Sequence, residues 1–419
     1  MKSPLEMRLG ILLSLYVAQG LPTGVFSQAL PALLRTYHVP LGMIGLSSLL
    51  ALPWAVKVFW APLVDRYYWP FMGASRSWIL PIQVSCILLM LGLALFDPSG
   101  LVTESGMTVF FFALFLLNLL AATQDIATDS LAVRILAVDE RSQGNAVQVA
   151  GYRLGLVIGG GLLLVLISDW RWPSAFVLMA FLMLLTTVPI AIYREPDREI
   201  APSGEPPLAY KSVFLSFVSE RGRWRWIWVL LTYKIADGLG SAMVKPMLVD
   251  MGLSLRQIGL QVSIVGSAAT IAGAALGGLL TARWGRYPAL MIFGVFQGCG
   301  LGAYGWLSWH WQVSHELVQS TAYLINAFEH LSSGMATVAL LTVVMDYSRK
   351  SHPGSDFTLQ VSLLAVFGGM AHLAAGFVAQ KLGFTGYFLL SMVLAWCCLL
   401  PVVIWGRGLM HRIEPAVEI

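Results

Sequence analysis

The sequence predicts an all-α integral membrane protein, with twelve transmembrane helices arranged as two pseudo-symmetric six-helix bundles. Three observations predict it. Of 419 residues, 57% are hydrophobic and only 11% charged, against roughly 45–50% and about 25% in soluble domains. Twelve apolar runs have spanning length. One long polar connection divides six of them from the other six. Twenty-two acids and twenty-six bases cannot clothe a water-facing surface, and a mean hydropathy of +0.74 makes the bilayer the solvent.

A spanning helix takes about 20 residues at ~1.5 Å rise each. The runs fall at 8–34, 40–63, 78–96, 107–133, 145–167, 173–193, 225–249, 256–281, 288–308, 317–345, 356–380 and 385–405, here called spans 1 to 12. The first is too long for a signal-peptide core and lacks a small-residue cleavage site, so it is read as a retained span. The polar connection, roughly 194–224, holds EPDREIAPSGEPP and then the basic RGRWRW. The domains are therefore 1–193, a linker at 194–224, and 225–419. A repeat supports the halves: APLVDR at 61–66 ends span 2 and GLLTAR at 278–283 ends span 8, an offset of 217 residues.

Basic residues resist translocation. Eighteen Lys and Arg lie in the segments on the side of the amino terminus, against four, Arg35, Arg171, Arg256 and Lys381, on the other. Both termini are therefore expected in the cytoplasm. Net charge is only +4, so a nucleic-acid partner has no electrostatic case. Cys86, Cys299, Cys397 and Cys398 have neither disulfide-framework nor zinc spacing. The seven histidines are scattered, so no metal, cofactor or catalytic centre is expected, and without GxxxxGK[ST] ATP is not the direct energy source. The expected partners are a small-molecule substrate, protons and the lipid bilayer, around a monomer.

Four bases remain within spans: Lys57, Arg153, Lys234 and Lys245. Asp125 and Asp129 are four apart on span 4 and share a helix face, and an intramembrane carboxylate costs at least ~3 kcal/mol unless paired or wetted. At ~1.5 Å per residue Asp125, Asp129 and Arg153 lie about 14, 8 and 12 Å from one membrane boundary, so Arg153 is expected to pair with one of the two. Lys57, near a span end, is read as snorkelling, and Lys245 as a position that could meet an anionic substrate. Gly151, Gly155 and Gly159 on span 5, and Gly266, Gly273 and Gly277 on span 8, have the small-residue spacing of close helix contacts and are expected between the sliding halves.

The string GLLTARWGR, Gly278 to Arg286, resembles the loop motif G-x-L-x-D-R-x-G-R of the major facilitator superfamily, with Ala282 where the family has its acid. The first half keeps that acid as Asp65, followed by Arg66, then inserts YYWPFMGASR. The resemblance implies a gating role for Asp65, Arg66, Arg283 and Arg286. TQDIATDSLAVR (Thr123 to Arg134), GYRLG (Gly151 to Gly155), YKIADGL (Tyr233 to Leu239) and LPWAVKVFWAPLVDR (Leu52 to Arg66) are similar to the branch holding AmpG-type muropeptide permeases and the shorter RhtX/FptX siderophore importers. AmpG-type permeases carry two additional helices, so chain length favours the siderophore branch.

In that superfamily spans 1, 4, 7 and 10 line a central path. Here they offer Gln19 and Gln28, Asp125 and Asp129, Lys234 and Asp237, and Glu329 and His330. Lys234 and Asp237, three apart, can neutralise one another. Glu329, expected near mid-bilayer, is the best placed to bind a coupling proton. The resemblance implies import of a siderophore or its ferric complex, a small phenolic pyochelin-like one, across a bacterial inner membrane by proton-coupled alternating access. A muropeptide permease is the alternative, and a channel or membrane-embedded enzyme is the other class.

Overall fold

The computed structural model describes residues 4–30, 33–34, 50–195, 210–258, 264–315 and 318–413. Among them nine helices are long and apolar enough to cross a membrane, and the last of these, Pro353–Gly408, covers both span 11 and span 12. Gly383 separates the two: its φ of 64° is open to glycine at no steric cost. Spans 1, 3, 4, 5, 6, 7, 9 and 10 correspond to the other eight helices.

Spans 2 and 8 differ from the expected continuous helices. In span 2, residues 40–49 lie outside the described residues, and the rest is broken into Leu52–Val56, a 3-10 turn Lys57–Phe59, and Ala61–Arg66. Pro53 and Pro62 sit at the first turns of the two helices. Proline is tolerated there and lacks the N–H that a continuous helix would use. Span 8 is represented by Leu255–Ile258 and Gly266–Trp284, with 259–263 undescribed. Span 7 is interrupted too. Its pieces Arg223–Thr232 and Ile235–Asp250 meet at Lys234, whose φ and ψ of −99° and 2° leave the helix.

The chain packs as two compact units. One comprises Met1–Val138, Val147–Val213 and Tyr347–Thr358; the other comprises Asp139–Ala146, Phe214–Asp346 and Leu359–Ile419. The first unit is built around buried residues such as Phe110, Trp172 and Phe176. There the Trp172 indole N–H donates to the Leu93 carbonyl at 2.7 Å, so the large ring buries without an orphaned donor. The second is built around Leu301, Tyr304 and Phe388.

The glycine stripes do their packing inside these units. A Cβ on Gly155 would stand 2.4 Å from the Val17 carbonyl and 2.7 Å from Gly20 Cα, so spans 1 and 5 touch backbone to backbone. Both helices carry a π turn where they meet, Val25–Ala29 and Ile158–Leu162. On span 8, a Cβ on Gly273 would meet the Leu331 carbonyl at 2.1 Å and one on Gly277 the Met335 Cα at 2.7 Å. The stripes thus seat span 1 on span 5 and span 8 on span 10. This corrects the expectation of a contact between sliding halves: the bare backbone matches a partner within the same unit.

Candidate functional site: two intramembrane polar clusters

In the first unit the Glu104–Ile135 helix carries Asp125 and Asp129 on one buried face. Lys57 pairs with Asp125, both side chains being almost wholly buried, and its ammonium lies 5.1 Å from the Trp54 ring. Lys57 therefore does not snorkel. The 3-10 turn between the two proline-started helices turns its side chain inward. Asp129 accepts from the Tyr16 hydroxyl at 2.9 Å and from Gln148 Nε2 at 3.1 Å, both at Oδ1. It makes no ion pair among the described residues.

The expected Arg153 pairing is absent: no carboxylate lies within salt-bridge distance of it among the described residues. The reason is rotational. Gln148 is the residue of the Arg141–Val157 helix that faces Asp129, and five residues further on Arg153 is turned by about 140° at ~100° per residue. Similar expected depth does not bring two side chains together when their directions around the helices differ. Gln19 is buried, with both amide atoms lacking a hydrogen-bond partner, whereas Gln28 is exposed and lies against Gly160.

In the second unit Lys234 pairs with Asp237 at 3.0 Å and donates to Thr337 Oγ1 at 3.0 Å. Asp237 also accepts from Gln297 Nε2 at 2.5 Å and from Ser333 Oγ at 3.2 Å. The two charges neutralise one another, and the break at Lys234 lets both side chains reach the same place. Glu329 is buried and its Oε2 is 2.6 Å from His330 Nδ1, although the alignment is too poor for a hydrogen bond. Lys245 is exposed. Gln148, Gln297, Ser333 and Thr337 complete the clusters and were not singled out from the sequence, because an uncharged polar residue in an apolar run carries no spacing signal.

A second set of contacts gathers at the helix ends that carry the loop motifs. Asp65 accepts from the Gly354 N–H at 3.1 Å, the Ser355 N–H at 2.7 Å and the Ser355 hydroxyl at 2.6 Å. Burial pushes its carboxyl above the ordinary carboxylate value, opposed by these donors and by Arg134. Arg66 is exposed, over the Tyr67 ring at 5.5 Å. In the second motif copy, Gly285 with φ of 85° turns the chain between helices, Arg283 is exposed, and Arg286 pairs with Asp346 at 2.9 Å. Asp346 also holds Arg141 at 2.8 Å. An acid from the end of the Gln319–Tyr347 helix thus stands in this copy, where Ala282 replaces the motif's own.

The insertion after Arg66 makes a cradle the sequence did not disclose. Glu195 pairs with Arg134 at 2.6 Å and accepts from the backbone N–H groups of Ser75 and Arg76, beside Gly73, whose φ is 94°.

Residues 12–360 match the model of the Major Facilitator Superfamily. The chain belongs to that superfamily. It is 29% identical over 396 residues to the anhydromuropeptide permease of Escherichia coli K12, covering 93% of this chain and 78% of that one. It is 25% identical over 401 residues to a Rickettsia conorii protein assigned the name AmpG 4, covering 93% and 94%. Its backbone matches the E. coli fucose:proton symporter FucP with a TM-score of 0.68 at 13% identity, across 97% and 99% of the two chains, a likeness of fold alone. This facilitator-superfamily chain is a multi-pass secondary transporter for a small molecule. The AmpG-named relative matched over 94% of its own length removes the argument that a short chain must belong to the siderophore branch, and the relatives' names favour the muropeptide alternative.

Proposed function

We propose that this transporter is a proton-driven permease bringing an anhydromuropeptide, a sugar–peptide fragment of peptidoglycan, inward across a bacterial inner membrane. The observation that carries the substrate class is the similarity to the E. coli anhydromuropeptide permease along 93% of this chain. Such a ligand offers hydroxyls, amides and carboxylates, and spans 1, 4, 7 and 10 supply polar partners of matching kind. Gln19 has an amide with both atoms unused, ready to donate and accept.

For the drive, the two clusters differ in charge. Lys234 and Asp237 balance. Lys57 balances Asp125 but leaves Asp129 with neutral donors only, and an uncompensated carboxylate in a membrane is costly. One proton on Asp129 would restore neutrality. Glu329 has His330 beside it, so Asp129 is the coupling site we favour over it. Loading of substrate and proton would alternate exposure of a midplane site between the two sides.

The test is uptake of labelled anhydromuropeptide by vesicles containing the chain, energised by an inward proton gradient. Saturable accumulation, abolished by an uncoupler, is expected. No accumulation would reject the substrate class, and accumulation that survives the uncoupler would reject the proton drive. Accumulation of a labelled ferric siderophore instead would restore the siderophore reading.

A further inference from the structure

The basic, tryptophan-rich stretch that opens span 7 takes no part in the clusters above. One side of the Arg223–Thr232 helix is anchored: the Trp226 indole N–H donates to Gln360 Oε1 at 2.6 Å, and its ring lies 5.4 Å from that of Trp405. This seats the helix beside Leu400–Ile413. The other side carries Trp224 and Trp228, one helical turn apart, with Arg225 next to Trp224. Trp224 and Trp228 are 53% and 54% exposed.

The Arg225 guanidinium stands 5.5 Å from the Trp224 ring. Its Nη1 occupies the space that a Cβ on Gly408 would need, so it rests on bare backbone of the neighbouring helix, next in sequence to Arg407. Arg407 is exposed. Neither Arg225 nor Arg407 has an acidic partner among the described residues. Glu220, the acid of this stretch, is taken by Arg223, which is itself buried with its guanidinium 4.4 Å from the Phe217 ring.

We propose that Arg225 and Arg407, flanked by Trp224 and Trp228, bind the phosphate headgroup of an anionic phospholipid in the adjoining leaflet. Three physical reasons converge. Guanidinium groups match phosphate oxygens in a bidentate fork. Exposed indoles settle at the boundary between headgroups and acyl chains. Two indoles one turn apart form a wall that a lipid uses and a soluble anion does not. A basic side chain near an anionic lipid surface contributes enough to change affinity about fivefold.

The experiment titrates the purified full-length chain, in uncharged detergent, with short-chain phosphatidylglycerol and reads the thermal unfolding midpoint. A saturable upward shift is expected, with Arg225→Gln and Arg407→Gln each needing about fivefold more lipid for half the effect. Arg225→Lys should keep part of the response, and Lys350→Gln, which removes the same charge at another exposed position, should keep all of it. Equal lipid dependence in the parent and both glutamine variants would overturn the proposal. So would equal potency of phosphatidylcholine, which would indicate an unselective lipid belt, or of inorganic phosphate, which would indicate a soluble-anion site. Arg407 is exposed, so its variant keeps the test sound if replacement of Arg225 impairs folding.

Discussion

At the scale of single residues, direction around a helix outweighs depth along it. The sequence puts Arg153 and the two aspartates at similar depth, yet Lys57 takes Asp125 and Gln148 takes Asp129. Breaking a buried pair from one side strands a charge at a cost of about 3–5 kcal/mol, whereas removing both partners is far milder. Lys57→Met is therefore expected to lower unfolding stability by about that amount, and Lys57→Met combined with Asp125→Asn to recover most of it; denaturant unfolding in detergent closes this double-mutant cycle. Equal losses in the single and double variants would mean that the pair does not hold the fold. Asp129 sets the other residue-scale expectation. Asp129→Asn carries no charge and imitates the protonated carboxyl, so it should abolish uphill accumulation while leaving substrate exchange at equal concentrations. Retained uphill transport would move the coupling to Glu329.

Helices in this protein meet through what glycine leaves out. The Gly20–Gly155 and Gly273–Leu331 contacts are too close for any added carbon, and membrane helices depend on such packing because lipid supplies no hydrophobic force between them. Gly155→Ala is expected to cost about 1–3 kcal/mol by overpacking. Gly161→Ala, where a Cβ would meet nothing within 4 Å, should cost far less, and comparing unfolding midpoints decides it. The small-residue period made these faces legible in the sequence but not their partners, since the same spacing serves any neighbouring helix. Helix interruptions followed local chemistry only in part: Pro53 and Pro62 mark the broken span 2, while nothing in Tyr233–Lys234 announces the break in span 7.

For the whole molecule, a transporter of this family turns over by exposing one site to each side in turn, so its flux must saturate and show counterflow. With the substrate proposed above, preloading vesicles with unlabelled anhydromuropeptide should speed entry of the labelled compound severalfold; flux linear in concentration and indifferent to preloading would mark a pore. The sequence by itself determined the membrane class, the places of ten of the twelve spans and the presence of polar residues on spans 1, 4, 7 and 10, because hydropathy and span length are local sums over neighbouring residues. Only the tertiary structure decided which charges meet: Lys57 with Asp125, Arg286 and Arg141 on Asp346, and Asp65 with Gly354 and Ser355, 289 and 290 residues away. Those choices depend on how each helix is rotated and where it crosses its neighbours, which no stretch of chain encodes alone.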